Sequence, residues 1–390
     1  MSAVRFLGPD TDAYVASVER HASEFEERTG VELDVRIVTS DLYFSNRIHH
    51  LLEGEDAADV YMSGPVLVWE HLAAGFVEPL DGLVEEAGFF DSLLHCNRWS
   101  GRFGDPLGEG PLLELPVNCE SYNLAYVPAK LEQAGVEVPQ TWDGYFAAAR
   151  SAGGFAQRGT DVWHTMYTGF ATQLWSCGGR DFEDGRCAIA SPTAVVVTRQ
   201  FLDALHDSGP EDWPGQRWYE LALDFAAGRY GLIVDSDHYV AYFEDRESSA
   251  LAGRIAYAAP PAGLAGRRPN LWTWSLVLNP RAHDRDAARR FLEWASSREF
   301  LLRSAFEGNM NPTRSSIWSD ERFRAHTAPW GAFHDVALGL IERQASVLVT
   351  PAPNYLELAS RWVRALLAAY ASGDVQGELE QAAADIDGLV

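Results

Sequence analysis

The sequence carries a single lysine, Lys130, among 31 basic side chains in 390 residues. No Schiff-base lysine, phosphate-loop lysine or Ser-x-x-Lys nucleophile can therefore be assembled from its motifs. Cysteine is scarce as well. Cys96, Cys119, Cys177 and Cys187 include no Cys-x-x-Cys, and no histidine stands at zinc-ligand spacing, which argues against a structural metal. Cys177 and Cys187 flank the turn-rich Gly178-Gly179 and Asp184-Gly185, leaving a hairpin disulfide and two free thiols both open. No run approaches the roughly 18 to 20 apolar residues of a membrane span, and residues 1–20 lack the charged, apolar and small-residue order of a leader. Gly-x-Ser-x-Gly, His-Glu-x-x-His, a phosphate loop and a Gly-x-Gly-x-x-Gly after a strand are all missing. So are internal repeats, low-complexity tracts and long blocks of like charge.

What is present is an acidic globular chain. Against 31 basic residues stand 56 acidic ones, a formal charge of -25, so the surface should repel nucleic acid and anionic lipid. Apolar residues make up 47% and charged residues 22%, an ordinary folded composition. At 390 residues the chain exceeds the size at which one core stops growing, and two lobes are expected.

The pattern of the first hundred residues is α/β. A strand at 4–7 precedes a helix capped by Thr11 or Asp12, with Val15, Val18, Ala22 and Phe25 on one face and Gly30 at its end. Alternating Val31, Leu33, Val35 and Ile37 then give a second strand, parallel to the first by the right-handed crossover rule. A helix through Ile48, Leu51 and Leu52, a strand at 59–62 and a helix after Pro65 follow. Ligands of such sheets collect beyond the carboxyl ends of strands, here the loops 8–12, 40–43 and 63–64. An extended segment at 112–117 leads into polar residues 118–123, Pro128 starts a helix ended by Gly135, and Thr141 caps another. Strands are predicted near 231–235, 254–258 and 272–278, and the remainder is mostly helical.

Four phrases carry a resemblance: Phe25-Glu26-Glu27-Arg28-Thr29-Gly30-Val31, Asp59-Val60-Tyr61, Pro139-Gln140-Thr141-Trp142-Asp143 and Asn311-Pro312-Thr313-Arg314. In order and spacing the chain resembles the extracellular solute-binding proteins of ABC importers, the carbohydrate-binding family that includes maltose-binding protein. The resemblance implies a two-lobed α/β periplasmic-binding-protein fold of type II. Its N-terminal lobe would be residues 1–117 plus 271–312, its C-terminal lobe 118–270 plus 313–390, with crossings near 118, 270 and 312. It implies a monomer with no cofactor and no metal, extracellular or periplasmic and membrane-associated. A leaderless cytoplasmic protein and a mature form with an added Met1 both fit the start of the chain. The implied function is capture of a small oligosaccharide or glycoside in an interlobe cleft, followed by hinge closure and delivery to permease subunits. Two alternatives stand beside it: binding of a glycerol phosphodiester or other non-sugar solute, for which no arginine cluster is evident at the rims, and a glycoside hydrolase with an Asp/Glu pair.

Sugar recognition needs flat apolar faces for ring C–H surfaces, and planar amides, carboxylates or guanidinium groups for hydroxyls. Trp272 and Trp274 alternate onto one face of a strand, and Trp175 lies beside Gly178-Gly179, so these three are the candidate stacking residues. Tyr43, Trp69 and Trp163 are weaker candidates, whereas Trp142, Trp294 and Trp362 sit at helix-core spacing. Candidate polar contacts are Asp12, Asp41, Ser63, Asn118, Glu120, Asp235, Asp237, Asn309, Asn311 and Arg314. Asn118 and Glu120 follow directly on an apolar strand, where burying polar groups is costly without a partner. For Asp12 the competing role is a helix cap, for Arg314 a brace of the last segment, and for Asp235 a salt bridge.

Overall fold

The computed structural model describes residues 2–82, 93–94, 96, 110–159, 169–350 and 352–389. Trp163 lies outside them. Among the described residues there are eleven strands: β1 (Ala3–Pro9), β2 (Glu32–Val38), β3 (Val60–Ser63), β4 (Leu115–Tyr126), β5 (Phe155–Ala156), β6 (Phe182–Glu183), β7 (Arg186–Cys187), β8 (Leu232–Ser236), β9 (Ala256–Ala258), β10 (Leu271–Leu278) and β11 (Asn311–Pro312). The chain divides into two compact units, the first Met1–Glu120, Trp272–His326 and Pro351–Pro353, the second Ser121–Leu271, Thr327–Thr350 and Asn354–Val390. The segment 313–326 packs with the first unit, where the expected boundary near 312 would have passed it to the other lobe: Thr313 donates to the Pro116 carbonyl at 2.9 Å and Trp318 to the Pro312 carbonyl at 2.9 Å.

In the first unit β1 pairs in parallel with both β2 and β3, as the crossover rule requires, and β10 runs antiparallel to β3. Every residue of β10 is buried, and its near-continuous apolar sequence fits a strand covered on both faces. The helix expected to run from Asp12 to Gly30 is instead two, Ala13–Arg20 and Ala22–Thr29. The break is at His21, whose backbone leaves the helical region while its ring contacts Glu307 at 2.7 Å; Ser17 donates to the other oxygen of that carboxylate at 2.6 Å. Gly30, at φ 69°, closes the second helix in the left-handed conformation. The helices Arg285–Ala295 and Arg298–Gly308 complete the core through rings that interleave from four elements. Phe6 meets Phe291 at 5.1 Å, Phe25 meets Trp294 at 5.3 Å, and Trp294 meets Phe300 at 4.3 Å. Burial of each such ring stabilises the fold by about 1.5 to 3 kcal/mol.

In the second unit β8 lies between β4, antiparallel, and β5, parallel, and β9 pairs with β4. Thr141 caps the helix Trp142–Ser151 through the Gly144 amide. That helix packs Tyr145 and Phe146 against Phe155, and its buried Trp142 donates to the Ser176 hydroxyl at 2.7 Å. Trp362, on the helix Tyr355–Ser372, packs on Phe170 at 6.0 Å. Cys177 and Cys187 are free thiols, not joined in a hairpin disulfide.

Candidate functional site

Each unit gathers polar and aromatic side chains where its parallel strands end. In the first unit β1, β2 and β3 point the same way, so their carboxyl-terminal loops share an edge. Two of these loops are stitched together: the Ser40 amide and hydroxyl both donate to the Asp10 carboxylate, at 3.0 and 3.2 Å, and the Thr11 and Ser40 hydroxyls lie 2.6 Å apart. Because Ser275 stands opposite Ser63 in the antiparallel β3–β10 ladder, the start of β10 extends past the end of β3 and brings Trp272 and Trp274 to this edge. Their rings meet at 5.4 Å and 74°, and Phe44 adds a third ring 5.8 Å from Trp274. The result is an aromatic wall backed by Gly64.

Of the other candidates in this unit, Ser63 is fully buried with no hydrogen-bond partner for its hydroxyl, and the same holds for Ser275 opposite. Asn118 and Asn311 occupy neighbouring registers of the β4–β11 ladder, both buried. Both amide atoms of Asn118 and the Asn311 Nδ2 lack partners, a costly arrangement unless water or a ligand meets them. Glu120 is half-buried nearby in sequence, and Asp41 is exposed in the first turn of the helix Ser40–Tyr43.

Several candidates are instead occupied by their own scaffold. Asp12 accepts from the Tyr14 and Val15 amides, at 2.8 and 3.4 Å, and so caps the first helix. Tyr43 is buried, its hydroxyl donating to the Met62 carbonyl, and burial pushes that hydroxyl's pKa well above the ordinary phenol value. Asn309 caps the helix Arg298–Gly308 in the left-handed conformation and its side-chain oxygen meets the His326 ring at 2.9 Å. Arg314 donates twice to the Ser296 carbonyl, at 3.1 and 2.7 Å, and burial lowers its pKa to about 10.

In the second unit the parallel pair β5–β8 ends in a row of buried polar groups. Asp237 accepts from the Ser121 amide at 3.1 Å and the Ser121 hydroxyl at 2.7 Å. Asp235 faces Asn123 across the β4–β8 ladder and receives a two-pronged contact from Arg158, through Nε at 2.9 Å and through Nη2. The Arg158 guanidinium also lies 5.6 Å from the Tyr239 ring, which is in turn stacked with Trp218 at 6.3 Å and 11°. Trp175, 7% exposed, is on the helix Gly169–Ser176, whose first residue abuts the Val234 carbonyl of β8. Arg158, Ser121, Asn123 and Ser275 were not among the candidates read from sequence. For Arg158 a signal existed, since a carboxylate ending a buried strand, as Asp235 does, needs a cation or donor beside it; which of the arginines supplies it is set by tertiary packing.

The sequence profile described as bacterial extracellular solute-binding protein matches residues 8–300. The erythritol/L-threitol-binding protein of Mycolicibacterium smegmatis is 27% identical to this chain over 395 residues, spanning 95% of this chain and 82% of that protein. The mannitol-binding protein of Pseudomonas aeruginosa is 26% identical over 264 residues, 64% of this chain and 59% of that protein. Among solved structures, maltose-bound MalE3 of T. maritima superposes with a TM-score of 0.85 at 20% identity, covering all of both chains.

Proposed function

The chain belongs to the bacterial extracellular solute-binding proteins, and we propose that within this family it is the capture component of an ABC importer for a small neutral sugar alcohol. The reading draws on the names of two relatives, an erythritol/L-threitol-binding and a mannitol-binding protein, and on the chemistry of the two strand ends. The observation that carries it is the wall of Trp272, Trp274 and Phe44 at the carboxyl edge of the first unit's sheet. Such a wall suits the C–H faces of a carbon chain whose hydroxyls are taken up by amides, hydroxyls and charged pairs. Ser63, Asn118 and Asn311 are the polar groups assigned to it in the first unit, and the Asp235 and Asp237 set is the polar cluster of the second unit's own strand ends. Asp12, Tyr43, Asn309 and Arg314 hold the scaffold behind them.

Binding needs no covalent step. Asp235 is neutralised by Arg158 and Asp237 is hydrogen-bonded by Ser121, an arrangement that favours holding a ligand over general acid catalysis. We assign the two compact units as the lobes, a monomer as the working form and permease subunits as its partners. Among the described residues no helix is long and apolar enough to cross a membrane.

The test is a thermal-shift and calorimetric panel of erythritol, L-threitol, ribitol, D-mannitol, maltose and glycerophosphocholine, with a p-nitrophenyl glycoside series as control. A polyol at 100 times its dissociation constant should add about 2.7 kcal/mol of stability. Stabilisation by maltose alone returns the ligand to the oligosaccharides, and release of nitrophenol without any binding shift overturns the capture reading.

A further inference from the structure

The Arg158 guanidinium, paired with Asp235, has one edge left unused. Arg158 follows β5 by two residues and Asp235 lies two residues beyond Ile233, the β8 partner of Ala156, so both stand at the carboxyl end of the parallel pair. Asp235 takes Nε and Nη2 of the guanidinium, in a fork that fixes the plane of the group. The side chains are 12% and 1% exposed, and the arginine backbone is held by the Trp213 indole, which donates to the Arg158 carbonyl at 2.6 Å. Among the described residues Nη1 makes no hydrogen bond, so its two N–H groups and the outer N–H of Nη2 remain as a rigid row of donors. Asn123, which faces Asp235 across the ladder, has a buried Nδ2 without a partner.

A buried donor such as the Asn123 Nδ2 is costly to leave unmet, and a guanidinium whose charge is already balanced offers little extra attraction to an anion. Its fork spacing suits two adjacent oxygens. We propose that Arg158 is the specificity-determining residue of the second unit's rim, donating through its unused edge to the two oxygens of a vicinal diol, with Asp235 as the positioning residue that holds the guanidinium in plane. The inference rests on the sugar-alcohol reading above and narrows it to neutral ligands with hydroxyls on adjacent carbons. Anionic sugar acids gain nothing from Arg158, because Asp235 has taken its charge.

The experiment is calorimetry on the full chain with erythritol, ribitol and D-mannitol, each compared with an analogue lacking adjacent hydroxyls: butane-1,4-diol against erythritol, pentane-1,5-diol against ribitol, hexane-1,6-diol against D-mannitol. The wild type is expected to prefer the polyol over its analogue by at least about tenfold, the scale of a hydrogen bond to a charged group. Arg158→Lys, which keeps the charge and loses the fork, and the neutral double variant Arg158→Gln/Asp235→Asn should each weaken polyol binding about tenfold or more and shrink that preference toward unity. A general loss of folding would instead lower affinity for polyol and analogue alike. Wild type that binds none of the polyols defeats the sugar-alcohol reading itself. Wild type that binds a polyol and its analogue equally, or variants that bind with unchanged affinity and preference, defeats the assignment to Arg158 alone.

Discussion

The indole of Trp272 occupies the space where a side chain at residue 64 would begin: a β-carbon placed on Gly64 would stand 2.6 Å from the Trp272 Cζ2. The glycine is there for close approach, and the ring position depends on it. Gly64→Ala is expected to push the indole out of register with Trp274, costing about 1 to 3 kcal/mol of stability as overpacking and weakening ligand capture. Trp272→Ala in the same background should remove the clash, so the double variant should lose less stability than the sum of the two single losses. Strict additivity in thermal melts would show that the two residues do not constrain each other.

Glu114 is fully buried, and its carboxyl approaches Ser275 without reaching hydrogen-bond geometry, so both oxygens lack partners. Burial raises its pKa well above the ordinary 4.5, chiefly by desolvation. The folded chain then holds a proton that the unfolded chain has lost, and this contribution to stability fades as pH climbs from about 4.5 toward the folded value. Glu114→Gln should flatten that part of the profile and make the protein more stable than wild type at pH 8. Urea titrations at pH 5, 6.5 and 8 read this directly, and parallel profiles for the two proteins would refute it.

His71 has the opposite sign. It is buried against Tyr61, at 5.2 Å between rings, and burial lowers its pKa to about 3. Below the unfolded value of 6.5 the unfolded chain takes up a proton that folded His71 refuses, so its share of stability falls as pH drops from 6.5 toward 3. His71→Leu should lose less stability between pH 7 and pH 4.5 than wild type does. A steeper acid decline in the variant would contradict the sign.

Asp12 separates capping from ligand contact. Asp12→Ala is expected to cost about 1 kcal/mol through the lost helix cap, and Asp12→Ser to restore most of it. Polyol affinity, corrected for folding, should be the same in all three proteins. A large affinity loss in the serine variant, with its melting point intact, would move Asp12 into the site.

The strand-end clusters of the two units differ in how far the sequence disclosed them. The parallel β1–β2 pair, the rim loops at 8–12, 40–43 and 63–64, and the shared face of Trp272 and Trp274 all follow from local alternation and the crossover rule, which need no knowledge of distant partners. Residue type alone leaves Arg314 open as a contact or a brace and offers Tyr43 as a weaker stacking candidate; that the Met62 and Ser296 carbonyls claim them is decided by tertiary packing. Arg158 lay hidden for the same reason, 77 residues from Asp235. The break at His21 was invisible because it depends on Glu307, nearly 300 residues on, reaching back to Ser17 and His21.

Lys130 sits half-buried on the helix Pro128–Ala134 and donates to the Gly228 carbonyl at 2.7 Å, and burial lowers its pKa. As the sole side-chain amine it gives acylating dyes one defined point of attachment on the second unit, and the speed of that labelling reports how often its tether to Gly228 lets go.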